Sequence, residues 1–138
     1  MPTRQIQIRQ TRASTSEATI RGHRVTVDRP VAKGGSDAGP MGGELFLAAI
    51  GGCFMSNLLA AMKARGLEMP GLQTEVAAEL AGSPDRFTSV DVCVTAETAD
   101  QETLEKLVEI ADRACIMMNT LRGKLEISTR VRAVPAVA

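Results

Sequence analysis

Hydrophobic and polar residues alternate at the start of the chain, which is the pattern of a half-buried β-strand. Ile6 and Ile8 fall on one face of this first strand, and polar side chains occupy the other face. Short apolar runs at 18–20 and 25–27 follow, separated by a turn. The pattern predicts a small antiparallel meander of N-terminal strands within residues 1–33.

A loop rich in glycine, residues 33–43, precedes the longest apolar stretch of the sequence. Residues 45–62 contain no charged side chain and predict a central helix over 43–66, with Gly66 at its C-terminal cap. Such a stretch just reaches the length of a membrane span. We expect it to be buried in a soluble protein instead, because glycine, serine and asparagine dilute its hydrophobicity and charged residues flank both ends.

The second half of the chain predicts strands and one more helix. Strands are expected within 72–97, a second helix capped by Asp100 over 100–116, and a last strand over 124–133. This order of elements predicts an α+β fold in a single domain, residues 1–138, with antiparallel sheets packed on the long central helix and the second helix.

Charge and aromatic content exclude some classes of partner. Sixteen basic and sixteen acidic residues give a net charge of zero, and the chain has no Trp and no Tyr. A nucleic-acid surface normally needs a basic patch and, for single strands, stacking aromatics. Residues 1–33 hold seven basic and two acidic side chains, a net of +5 that the rest of the chain balances with −5. We interpret this asymmetry first as a sign that subunits assemble through opposite charges, and only second as a means of steering a charged ligand.

The chain has three cysteines, Cys53, Cys93 and Cys115, and one histidine, His23. The odd cysteine count and a start without an apolar signal segment favour a reducing, cytoplasmic location. A metal site is not expected, because the cysteines are far apart and a single histidine cannot complete a ligand set. Cys93 is predicted to be a semi-buried strand residue and His23 a turn or edge residue.

Two of the cysteines fall on predicted helices. Cys53 is in the middle of the central helix and Cys115 is near the last turn of the second helix. Two helices packed on one sheet can bring such thiols into disulfide range, for which the Cα atoms must lie within about 7 Å. Free cysteine is also among the most buried residue types and often fills apolar space. The pattern alone leaves both interpretations open.

The sequence resembles the OsmC/Ohr family (osmotically induced protein C and organic hydroperoxide resistance protein) in two stretches. These are GGSDAGPMGGELFLAAIGGCFMSNLLAAMKARGLEM and LEKLVEIADRACIMMNTL. In that family a Gly/Pro loop leads into a long helix with a motif that begins with a glutamate and ends with a cysteine, matched here by Glu44 and Cys53. A second helix of the family ends in a second cysteine, matched by Cys115. Gly42, Ile116 and Met118 stand where the family often has Pro, Pro and His.

The resemblance implies a thiol peroxidase without a metal or bound cofactor. Cys53 would attack an organic hydroperoxide, release an alcohol and become a sulfenic acid, and Cys115 would condense with it to a disulfide. An external dithiol, with lipoyl groups as the family's source, would supply electrons. The resemblance further implies an intertwined homodimer with two sites at its interface, in line with a central helix that has no polar face.

A buried thiolate at Cys53 requires a nearby cation, because burial alone raises the pKa of a thiol. The family supplies an N-terminal arginine held by a glutamate, and the candidates here are Arg12 and Glu44. The competing arginines are Arg9, Arg21 and Arg24. Glu44 precedes Cys53 by nine positions, on the opposite helix face, so an interaction with the helix dipole is its alternative role.

The alternative to a peroxidase is a small-molecule binding protein on the same scaffold. Its cysteines would be buried or only slowly reactive. Turnover of a hydroperoxide with a dithiol, together with thiol counting on the native protein, separates these two hypotheses.

Overall fold

In a computed structural model of the chain, which describes residues 1–135, the first three strands form an antiparallel sheet of order β1-β2-β3. The strands are β1 (Gln7–Gln10), β2 (Ser16–Ile20) and β3 (His23–Val27). Ile8 pairs with Ala18, and Ala18 pairs with Val25, so the apolar positions share one face. The predicted meander is therefore present.

His23, the one histidine of the chain, directly follows the turn between β2 and β3. Arg21 and Gly22 have φ of 50° and 88°, the left-handed conformations of a tight hairpin turn. His23 follows directly as the first residue of β3, an edge strand of its sheet, and it is exposed. It is an edge residue next to a turn.

One buried carboxylate organises the loop that follows β3. Asp28 Oδ2 accepts hydrogen bonds from Thr15 Oγ1 at 3.0 Å and from the N–H groups of Ala38 at 3.1 Å and Ser36 at 3.3 Å. Burial alone would raise the pKa of Asp28, but the hydrogen bonds it accepts outweigh burial and hold the pKa far below its usual range. The loop, which includes a 3₁₀ turn at Val31–Lys33, is thereby fixed to the sheet.

The chain forms two compact units, Met1–Phe46 and Leu47–Ala138, and the first and longest helix crosses the boundary between them. This helix, α1, comprises Gly42–Ala64. Its buried residues follow one stripe at helical spacing: Ile50, Phe54, Leu58, Ala61 and Met62. The last three residues of the predicted domain, 136–138, lie outside the described residues.

α1 is long and apolar enough to cross a membrane, with a mean hydropathy of 1.9 over 18 residues. Core helices of soluble proteins pass the same test. Only 28% of that window is buried, and Leu59 is 51% exposed. Much of the apolar surface of α1 is therefore uncovered in a single chain.

The second unit contains the sheet β4-β5-β6. Its strands are β4 (Gln73–Ala81), β5 (Arg86–Glu97) and β6 (Glu126–Val134). β4 and β5 are antiparallel, with a bulge at Glu79 and Leu80. β5 and β6 are parallel, which corrects the expectation that every pairing would be antiparallel. The α+β fold class is confirmed, and the parallel pair arises because a helical connection returns the chain to the same end of the sheet.

That connection consists of two helices, α2 (Gln101–Ala114) and α3 (Ile116–Leu121). Asp100 caps α2 as predicted, since its Oδ1 accepts a hydrogen bond from the N–H of Thr103 at 3.0 Å. The core of this unit comprises the buried stripe of α1 together with residues of β5 and α2, including Val90, Val92, Val94, Leu104, Leu107 and Ala111. Cys93 is only 9% exposed, so it is more buried than its predicted semi-buried position.

Candidate functional site

Two cysteine sulfurs lie in contact in the second unit. Cys53 is in the middle of α1, and its Sγ lies 3.2 Å from the Sγ of Cys115, which is 62 residues further along the chain. A disulfide bond is close to 2.05 Å, so the two residues are free thiols. The Cys115 thiol donates its proton toward the sulfur of Cys53.

Cys115 lies at a break between two helices and not within the last turn of one. The helix expected over 100–116 ends at Ala114, and Cys115 has φ −75° and ψ 119°, an extended conformation. α3 then begins at Ile116. The first N–H groups of a helix have no partner within the helix. The break therefore presents backbone donors that have no partner within the helix beside the two sulfurs, a feature that the sequence prediction missed.

These donors lower the pKa of the Cys53 thiol. Burial raises this pKa, but hydrogen bonds from the N–H of Met117, the thiol of Cys115 and the N–H of Ile116 outweigh burial. Each of them stabilises the thiolate more than the neutral thiol. The thiol of Cys53 is therefore made more acidic by uncharged groups of its own unit.

The pKa of Cys115 is raised. Burial is the largest cause, and the neighbouring Cys53 adds to it both as a hydrogen-bond acceptor and as a negative charge. Two adjacent thiolates would repel each other, so the two thiols ionise in sequence. Cys53 carries the charge first and Cys115 keeps its proton.

The two cysteines also differ in solvent exposure, and the residue with the lowered pKa is the more exposed one. Cys53 is partly exposed, whereas Cys115 is fully buried. Next to the pair, the side chain of Ile116 is 73% exposed. Cys53 is therefore the more accessible residue of the pair.

A further polar side chain touches Cys53 from within α1. Asn57 lies one helical turn later, and its Nδ2 donates a hydrogen bond to the carbonyl oxygen of Cys53 at 2.9 Å. The same nitrogen lies 3.8 Å from the Cys53 sulfur. Sequence reasoning did not select Asn57, although its spacing of four residues from Cys53 is the signal that places two helical side chains together.

Arg12 and Glu44 belong to the first unit. Arg12 lies between β1 and β2, is exposed, and makes no ion pair with any carboxylate of its own unit, residues 1–46. Glu44 lies in the first turn of α1, where its Oε1 accepts a hydrogen bond from the N–H of Met41 at 2.9 Å. This is half of a helix capping box, so Glu44 does serve the helix N-terminus.

Two of the competing arginines are engaged elsewhere. Arg9 and Arg24 lie 3.7 Å and 4.0 Å from the carboxylate of Glu17 on the exposed face of the first sheet.

Within the part of the chain that the structure describes, no group of three or more His, Cys, Asp or Glu side chains is placed to hold a metal ion.

Residues 34–130 match the model of a protein family described as OsmC-like protein. The fold is similar to an OsmC-like protein of Mycoplasma pneumoniae, with a TM-score of 0.83 at 18% identity over 96% of this chain and 98% of the other. It is also similar to an organic hydroperoxide resistance protein OsmC of Legionella pneumophila, with a TM-score of 0.73 at 21% identity over 96% and 98%. OhrB of Bacillus subtilis, another organic hydroperoxide resistance protein, has a TM-score of 0.67 at 21% identity over 94% and 98%. No curated protein sequence matches the chain.

The two thiols are expected to differ in reactivity toward an alkylating reagent. At pH 7, substoichiometric iodoacetamide should label Cys53 first, because this residue is partly exposed and the pKa of its thiol is lowered. Cys115, buried and with a raised pKa, should react more slowly, by about tenfold or more. Peptide mass spectrometry of the reduced native protein measures the order. Labelling of Cys115 ahead of Cys53 would contradict the conclusion that Cys53 is the more acidic and more accessible thiol.

Proposed function

The chain belongs to the OsmC-like protein family, and we propose that it is a thiol peroxidase that reduces organic hydroperoxides to alcohols. Membership of this family supports a redox role. The observation that carries the proposal is the contact of Cys53 and Cys115 at 3.2 Å, with one pKa lowered and the other raised. A pair of structural core thiols needs neither feature.

The first step uses the Cys53 thiolate as the nucleophile. Its sulfur attacks the terminal oxygen of the hydroperoxide, so that an S–O bond forms as the O–O bond breaks. The leaving alkoxide takes a proton and departs as the alcohol. The peroxide gains two electrons, and the sulfur of Cys53 loses two and becomes a sulfenic acid.

The second step uses Cys115. Its sulfur attacks the sulfenic sulfur of Cys53, so that an S–S bond forms as the S–O bond breaks, and the hydroxyl takes the proton released by Cys115 and leaves as water. The raised pKa of Cys115 depends in part on the negative charge of Cys53. That charge disappears when Cys53 becomes a neutral sulfenic acid. Cys115 therefore becomes easier to deprotonate at the stage where its thiolate is needed.

An external dithiol completes the cycle by thiol–disulfide exchange. It reduces the bond between Cys53 and Cys115 and is itself oxidised to a disulfide. The family resemblance supports a lipoyl group as this dithiol and the cytoplasm as the compartment. The exposed side chain of Ile116 beside the thiol pair favours hydroperoxides with an apolar substituent.

Cys53→Ser should abolish turnover of cumene hydroperoxide with dihydrolipoamide, since an alcohol at this position cannot supply the thiolate. Cys115→Ser should consume about one equivalent of peroxide and stop as a sulfenic or over-oxidised Cys53. Peroxide consumption and intact-protein mass measure both results. Cys93→Ser is the matched control and should retain activity. Equal turnover in wild type and Cys53→Ser would favour the small-molecule binding alternative.

The family's arginine is proposed to be Arg12, with Glu44 as its partner. Arg12→Met should slow alkylation of Cys53 at neutral pH by removing a positive charge, by about tenfold for each 1.4 kcal/mol of lost thiolate stabilisation. Arg21→Met and Arg24→Met serve as controls of equal charge change. If Arg12→Met reacts as fast as wild type, the uncharged donors around Cys53 suffice without this arginine.

The functional unit is proposed to be a homodimer. α1 has no charged residue between Leu45 and Met62, yet only 28% of its most apolar window is buried. Soluble monomers rarely expose apolar patches larger than a few hundred Å². A second copy of the chain would cover this surface, and the family resemblance supports an intertwined arrangement with Arg12 or Glu44 shared across it.

Sedimentation equilibrium at low micromolar concentration should give a mass near twice 14.6 kDa, because the uncovered face of α1 is buried between subunits. Leu59→Glu places a charge on the exposed part of this helix and should shift the mass toward the monomer. Thr120→Glu, at an exposed position outside α1, is the control for one added negative charge. A folded wild-type species near 14.6 kDa would refute the interface.

A further inference from the structure

We propose that Asn57 is a positioning residue for the reaction, which holds the Cys53 sulfur in place and stabilises its deprotonated form through a side-chain N–H. This inference rests on the proposed function, in which the Cys53 thiolate is the nucleophile. It assigns a role in that step to a residue that is not part of the cysteine pair.

The orientation of the Asn57 carboxamide follows from its first contact. The atom of Asn57 nearest the Cys53 carbonyl oxygen lies 2.9 Å away, and a carbonyl oxygen can only accept a hydrogen bond. The nitrogen and not the oxygen of the carboxamide must therefore face Cys53. This nitrogen carries two N–H groups, and the Cys53 sulfur lies 3.8 Å from it.

The Cys53 sulfur is therefore in contact with hydrogen-bond donors from two elements, the junction of α2 and α3 and the helix α1. The junction of α2 and α3 supplies the N–H groups of Ile116 and Met117 and the thiol of Cys115. Asn57 adds a donor from α1 itself. Within residues 47–135 the titratable group that faces the Cys53 sulfur is Cys115, and the remaining donors are uncharged.

Asn57 is a polar residue within an apolar helix, and its contacts with Cys53 explain why it is accommodated there. Asparagine is less favourable than alanine in a helix interior, because its side chain competes for backbone hydrogen bonds. Asn57 is half-buried in the most apolar helix of the chain, where alanine and leucine predominate. Hydrogen bonding to Cys53 gives the polar group a partner and gives the sulfur a second anchor.

Asn57→Asp tests the role with little change in shape. It replaces a donor by an acceptor-only carboxylate beside the sulfur. We expect the midpoint of the alkylation–pH profile of Cys53 to move up by about one unit, which is about a tenfold slower reaction below the midpoint. Asn57→Ala, which only removes the donor, should move the midpoint in the same direction by less.

Asn119→Asp is the matched control, because it makes the same replacement at an exposed position on α3, away from the face of α1 that is proposed to contact a second subunit. Its effect should stay below about threefold, as expected for a screened surface charge. Peptide mass spectrometry after timed iodoacetamide pulses between pH 5 and pH 10 follows Cys53 separately from the other two cysteines.

Equal profiles for Asn57→Asp and Asn119→Asp would overturn the inference, because the effect would then come from charge alone. An Asn57→Ala profile identical to that of wild type would overturn it as well, and this variant carries the test if Asn57→Asp does not fold. The peroxidase proposal fails separately. Wild type that shows the Asn57-dependent profile but does not turn over cumene hydroperoxide supports the role of Asn57 and contradicts only the peroxidase.

Discussion

The sulfurs of Cys53 and Cys115 lie 3.2 Å apart at the point where helical structure stops for one residue, at Cys115. An uninterrupted helix would pair the N–H groups of residues 116 and 117 with carbonyls of the preceding turn. The break leaves these groups available to the Cys53 sulfur. The same extended residue thus provides the second thiol and orients the donors that make the first thiol acidic.

Much of the fold could be predicted because burial leaves a local signature. The alternation of Val90, Val92 and Val94 marked a strand, and Asp100 marked the start of α2. The direction of β6 could not be read in this way, because it depends on how the whole helical connection crosses the sheet. The break at Cys115 also lacked a local mark, since no glycine or proline adjoins it and the apolar residues continue through it.

The candidate site could be predicted only in part for a related reason. Cys53 and Cys115 were selected by residue type and by family resemblance, and their contact joins residues 62 positions apart. The donors at Ile116 and Met117 are backbone N–H groups, so the residue types at these positions give no sign of them. Asn57 was within reach of sequence reasoning, as a polar residue at i+4 from a candidate nucleophile.

Burial and protonation of the second thiol also bear on how the proposed cycle ends. A sulfenic acid at Cys53 can be attacked by Cys115 or by a second peroxide, which over-oxidises the sulfur. The two sulfurs must approach by only about 1 Å to reach disulfide distance. A second peroxide must instead diffuse in and bind. The packing that keeps Cys115 from solvent therefore also keeps it closer to the intermediate than any competing oxidant.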